Sequence, residues 1–206
     1  MDAKKVFLNC PFDASYKPIF DSIVFAIHDL GFEARHALID NANAVRLLRI
    51  SAEIQSCKYS IHDISRVESG GSLRLPRFNM PFEAGVGYLL HETSVEPDKH
   101  HFLLLDSEPY RYHASLSDAA GLDAKVHDGD QKKAINAVRS FLVAKSGAQG
   151  GGFQGGSHIW KRFNLFQQLL KSTARTRNIS LPELKSWPYV NDLQAMMAEW
   201  VGNNPP

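Results

Sequence analysis

The chain has 206 residues, 44% hydrophobic and 22% charged, with 23 basic and 22 acidic side chains for a net charge of +1. That length suits one α/β domain with a small appendage, and the balanced charge leaves no electrostatic footprint for direct nucleic-acid binding. The longest apolar runs, such as Ile23-Val24-Phe25-Ala26-Ile27, stop far short of the roughly 20 residues of a membrane helix.

No secretory signal follows Met1, and the two cysteines, Cys10 and Cys57, make neither a disulfide framework nor a zinc pattern. The expectation is a reduced, cytoplasmic protein without a membrane partner. Val6 to Asn9 reads as a buried strand that stops at Pro11. Tyr16 to Leu30 carries apolar residues at helical spacing, and Gly31 ends it as a C′ residue. Phe32 to Ala37 is a second strand, and Asp40 to Ala44 is rich in turn residues. Val45 to Ser56 is a helix expected to face inward through Val45, Leu48, Ala52 and Ile54 or Gln55. Lys58 to Ile64 is a third strand, and Glu68 to Leu75 is a glycine-serine loop. His101 to Asp106 is a fourth strand, and Ala124 to His127 a short fifth one. Gln131 to Lys145 is a helix with Ala134, Ile135, Val138, Phe141 and Leu142 on one stripe.

Strands alternating with helices imply a parallel sheet with helices on both faces. The expected fold is therefore a doubly wound, mainly parallel α/β sheet of about five strands with a helical C-terminal extension. Residues 1–146 make the sheet domain. Residues 147–157 have the composition of a flexible linker, lacking the lysine signature of a phosphate loop. In the extension, 158–206, Ile159 to Thr176 is amphipathic through Trp160, Phe163, Phe166, Leu169 and Leu170. Leu181 begins a short segment, and Asp192 to Val201 forms a last helix. These helices can cap the sheet domain or join two copies, so a homo-oligomer is expected through them.

In such sheets ligands bind beyond the C-terminal strand ends. That rule gathers Asn9, Pro11, Phe12 and Asp13; Asp63 and Ser65; Asn79 to Glu83; and Asp106 to Tyr112. In the third group Asn79 suits an N-cap and Pro81 a first turn. Glu83 would then lie near the positive helix end, which favours an ionised carboxylate. Phe78, Phe82 and Tyr88 would exclude water around it. Gly85 and Gly87 weaken the helix but permit close approach by a neighbour or a ligand. The plainer reading of the stretch is a capped helix with one exposed acid. Phe12, Tyr110 and Tyr112 are candidates to stack on a base, with ordinary packing as the alternative. Arg77 and Arg111 are candidates to hold a phosphate, with a solvated surface as theirs. None of the nine histidines has metal-ligand spacing with a helical glutamate, so no metal is expected. His62 points opposite to Asp63 on a strand, which suits a core position.

Three segments carry a resemblance: Val6-Phe7-Leu8-Asn9-Cys10-Pro11-Phe12-Asp13, Ile61-His62-Asp63-Ile64-Ser65, and Asn79-Met80-Pro81-Phe82-Glu83-Ala84-Gly85. Together they resemble a bacterial group of TIR-like proteins related to the nucleoside 2-deoxyribosyltransferases, over about residues 4 to 145 by the strand and helix reading above. The resemblance implies a TIR- or flavodoxin-like sheet, with Glu83 as the catalytic carboxylate in either activity. Asp63 would contact sugar or base. Asn9, Pro11, Phe12, Asp13, Ser65, Arg77, Asn79, Met80, Tyr110 and Arg111 complete the expected substrate site. The implied activity is cleavage of the N-glycosidic bond of NAD or a related nucleotide, with no resident cofactor because the nucleotide is the substrate, and the implied setting is bacterial defence. Base exchange on deoxynucleosides, or nucleotide sensing without turnover, are the other readings. A serine-rich loop follows the first strand in many TIR domains; here it reads Asn9-Cys10-Pro11-Phe12-Asp13.

Overall fold

The structure, a computed structural model, describes residues 1–38, 46–66, 78–114, 116–119, 121–147 and 152–206. The fold is α/β, doubly wound, with an all-parallel five-stranded sheet and a helical C-terminal extension. The strands are β1 (Asp2–Asn9), β2 (Glu33–His36), β3 (Cys57–Asp63), β4 (His101–Asp106) and β5 (Lys125–Val126), in the spatial order β2-β1-β3-β4-β5. The order reverses direction between β1 and β3, so the ligand crevice of this topology opens where those two strands end. The register there pairs Asn9 with His62.

Two compact units form, each discontinuous in sequence: Met1–Pro11 with Phe32–Asp128, and Phe12–Gly31 with Gly129–Pro206. This partition differs from 1–146 followed by 158–206. Helix α1 (Lys17–Asp29) belongs with the C-terminal helices because its apolar surface continues around the cylinder, which a single sheet-facing stripe would not do.

In the first unit, α2 (Arg46–Ser56) and α3 (Asn79–Thr93) pack on each other and on β1 and β3. Helix α2 buries Ile50 and Ile54, while Leu48 is 66% exposed and Ala52 is exposed. The inward face expected through Leu48 and Ala52 is thus corrected. The sequence holds two apolar rows, and packing against the sheet selects the i, i+4 row of Ile50 and Ile54. Val45 and the 40–44 and 68–75 turns lie outside the described residues. Next to β4, Ile64, Met80, Leu104 and Tyr112 form a core cluster flanked by Phe102, Leu116 and Leu122.

In the second unit, α4 (Gln131–Lys145), α5 (Gly156–Thr176), the short α6 (Leu181–Leu184) and α7 (Val190–Asn203) join α1. The inward stripe of α4 is the expected one, from Ala134 to Leu142. Phe25 meets Phe163, Phe166 and Trp200 at centroid distances of 5.3, 5.7 and 5.7 Å. Arg162 is buried, donates to Asp29 at 2.8 Å, and lies over the Trp200 ring. Leu169, expected on the buried face of α5, is 42% exposed, because Ala174 and Arg162 take part of that face instead.

Gly156 and Ser157, expected in the linker, open α5. A Cβ at Gly156 would collide with Asn136 of α4, so this glycine serves helix packing. Residues 148–151 of the linker lie outside the described ones. Helix α4 starts on a side-chain cap, Asp130 accepting from the Lys133 amide at 2.7 Å. Asp130→Ala is expected to cost about 1 kcal/mol in urea denaturation. An unchanged midpoint would show the cap is not engaged in solution.

Among the described residues no helix is long and apolar enough to cross a membrane.

Candidate functional site

Helix α3 carries the candidate acid. Its N-cap is Phe78, whose carbonyl accepts from the Phe82 amide at 2.9 Å, and no side chain caps the end. Asn79 is therefore the first helical residue and not the cap, and Pro81 falls in the first turn as expected. Glu83 is the fifth residue, beyond the first turn where a helix end acts most strongly on a charge.

The Glu83 side chain is only 6% exposed and lines a cavity of about 520 Å³. Arg46, Leu47 and Ile50 of α2 and Phe78, Asn79 and Phe82 of α3 form the rest of the described wall. Burial lifts the Glu83 carboxyl to about 7, and the Arg46 charge opposes that lift. The expected ionisation by the helix end is thus corrected, since desolvation outweighs it. The reading of Glu83 as an exposed surface acid is corrected as well. No ion pair involving Glu83 is present among the described residues.

The first turn of α3 is fastened to the sheet. The Asn9 amide, 1% exposed at the end of β1, donates to the Met80 carbonyl at 3.1 Å and to His62 Nδ1 at 3.2 Å. Burial pushes His62 down to about 3, so the ring stays neutral and accepts at Nδ1. The ring of His62 also stacks on Phe102, with centroids 5.0 Å apart. Asn9 therefore fixes the wall beside Glu83 and has almost no surface of its own to offer a ligand.

The remaining expected residues separate. Asp63 is wholly buried. It accepts from the Ser65 amide at 2.9 Å, from the Ser65 hydroxyl, and from His127 Nε2 at 3.0 Å. His127 also lies 2.8 Å from Ser65 Oγ. As placed, Asp63 and Ser65 shape the turn after β3 and touch no cavity wall given above. Met80 turns its side chain into the core cluster. Arg111 donates through Nε and Nη2 to Asp106 at 3.1 and 2.5 Å, and through Nη2 to the Ile64 carbonyl at 2.9 Å. The guanidinium thus ties two strand ends together and does not line the cavity around Glu83. Tyr112 is buried and donates its hydroxyl to the Leu122 carbonyl. Tyr110 is 75% exposed, at a positive φ of 59°, on the wall of a separate 300 Å³ cavity. Pro11 ends its stretch of the first unit, buried.

Phe12 and Asp13 belong to the second unit. There Phe12 meets Trp187 edge to face at 5.1 Å, and the Asp13 carbonyl accepts from the Tyr16 and Lys17 amides. Arg77 lies outside the described residues.

Of the expected residues, then, Asn79 and Glu83 share the cavity with Phe78 and Phe82. These two rings are 66% and 61% exposed, so the expected exclusion of water by them is corrected: they stand at the open rim, and burial of Glu83 comes from the packing of α2 on α3. Tyr88 lines a different cavity. Sequence reasoning missed Arg46, Leu47, Ile50 and His127. Arg46 opens an unremarkable amphipathic helix, and only the packing of α2 on α3 brings it to the acid.

Among the described residues no group of three His, Cys, Asp or Glu side chains is placed to hold a metal ion. Neither cysteine is in a disulfide and both are buried, and burial raises the Cys57 thiol to about 11, away from a reactive thiolate. No protein-family model, no curated protein and no solved structure matches the chain.

Proposed function

We propose that this protein cleaves the N-glycosidic bond of NAD or a related nucleotide, with Glu83 as the reacting carboxylate. One observation carries the reading: a buried glutamate, raised to about 7, stands on the wall of a cavity of about 520 Å³. That volume lies in the range of small-ligand sites. Perturbed acids in clefts are functional candidates.

Breaking such a bond builds positive charge on the anomeric carbon. A nearby carboxylate stabilises that charge or captures the carbon covalently, while the base leaves with the bonding electrons. A pyridinium nucleotide brings a positive ring to the site. An opposite charge at close range favours the ionised acid, so such a substrate draws the proton from Glu83 as it binds. Arg46 is the described cation on the wall and suits a phosphate. Phe78 and Phe82 supply aromatic surface for a base.

The test is incubation with NAD, and separately with nucleosides and mixed free bases, following released base by chromatography at low and high protein concentration. Nicotinamide release is expected, with kcat/KM rising through about pH 7 and level above it, as the ionised form of Glu83 reacts. A rate that falls above that pH would make Glu83 a proton donor, as departure of a neutral purine requires, and would favour base exchange. Saturable nucleotide binding with no product at any concentration would replace catalysis by sensing.

A further inference from the structure

A second cavity of about 500 Å³ opens on another face of α3, lined by Pro81, Ala84, Gly85 and Tyr88 at helical spacing. Opposite them stand Phe102 and Leu104 of β4 and Leu116 of the connection that follows. The cavity lies entirely within the first unit and does not share a residue with the wall around Glu83.

Its lining has three properties that select an occupant. The floor is bare at Gly85: nothing lies within 4 Å of the position a Cβ would take there. The side wall is aromatic, with Tyr88 and Phe102 at 5.9 Å and an interplanar angle of 69°. The charge is of one sign: Asp118 is exposed and lines the cavity, and no lysine, arginine or histidine does so among the described residues.

We infer that this cavity is a binding site for a small aromatic molecule, and that it prefers neutral or cationic rings to anionic ones. A flat ring fits between the glycine backbone and the Tyr88–Phe102 wall, where ring faces and edges attract one another. The volume holds a bicyclic ring with room for a short amine arm. Asp118 attracts that arm and repels a carboxylate or phosphate, an effect that salt weakens because the acid is exposed. The nucleotide proposed for the Glu83 cavity is anionic and is disfavoured here. The inference rests on the walls of this cavity alone and holds whether or not Glu83 is catalytic.

Three probes of one ring and different charge test it on the full chain: tryptamine, indole and indole-3-acetate. Amide chemical-shift perturbation at low salt gives both the affinity and the place of binding. Tryptamine and indole are expected to bind saturably with affinities on the order of millimolar, moving the signals of Gly85, Tyr88 and Leu116. Indole-3-acetate is expected to bind at least about threefold more weakly than tryptamine. Asp118→Asn, an exposed change, should erase that difference while indole binding persists. Gly85→Leu should fill the cavity and abolish binding of all three, with thermal unfolding confirming that the variant is folded. Equal binding of the anion and the cation to the wild-type chain would overturn the proposal. So would perturbations mapping elsewhere, their survival in folded Gly85→Leu, or no perturbation by any probe.

Discussion

Glu83→Gln is expected to lose turnover by on the order of 10³-fold and, above pH 7, to be more stable than the wild type. Both effects come from the same burial. The carboxyl sits at about 7 in the folded chain against an ordinary value of 4.5. Below 4.5 both folded and unfolded chains hold the proton, and the acid resembles its amide. Between these values the unfolded chain releases the proton while the folded chain keeps it, so folding stability falls as pH rises. Above 7 the loss is complete. Water at the cavity mouth screens part of it, leaving about 1–2 kcal/mol. Glutamine carries no charge and escapes this loss. Urea denaturation at pH 4.5 and pH 8 should show nearly equal stabilities at the lower value and a more stable variant at the higher. A variant that is less stable at pH 8 would mean that the ionised carboxylate is well partnered in solution, and the case for a reactive acid would fail with it.

Gly87→Ala is expected to cost about 2–3 kcal/mol, whereas Gly85→Ala, two residues earlier on α3, should gain up to about 1 kcal/mol. The substitution is the same and the surroundings decide its sign. At Gly87 an added Cβ would fall inside van der Waals contact with His62 Nε2 and 3.0 Å from Ser60 Oγ. The imidazole cannot swing aside. Asn9 holds its Nδ1, Phe102 stacks on its face, and the residue has no exposed surface. Helix α3 must therefore lift from β3, which works against the Asn9–Met80 bond and shifts the Glu83 wall. At Gly85 the space is open and only the helix propensity of alanine acts. Paired urea titrations would measure both changes. If Gly87→Ala were neutral, α3 would have more freedom over β3 than this packing allows, and Glu83 could not be regarded as held in place.

The sequence was most informative where one periodic pattern had one solution. The run His101–Asp106 is a buried strand and Gln131–Lys145 an amphipathic helix, and both elements have those bounds. It was least informative where two patterns competed or where a partner lay far along the chain. Leu48 and Ile50 offer α2 alternative inner faces, and the sheet makes the choice. The pull of the helix end on Glu83 could be read locally, but the burial that overrides it depends on α2. Asp63 and Arg111 both looked available to a ligand. Their partners, His127 and Asp106, come from the ends of other segments that the parallel sheet draws together. Arg46 belongs to no motif at all, and its place beside the acid is a product of tertiary packing.

The fastening of α3 through His62 has a consequence for acidity. Because Asn9 donates to Nδ1, the imidazole carries its single proton on Nε2, towards Gly87, where it has no hydrogen-bond partner among the described residues. A second proton would have to displace Asn9 from Nδ1, and burial defers that event to about pH 3. Near neutrality, then, proton exchange at Glu83 resets the electrical character of the cavity while this imidazole tautomer keeps the scaffold beneath it in register. Chemistry and architecture answer to acid several pH units apart.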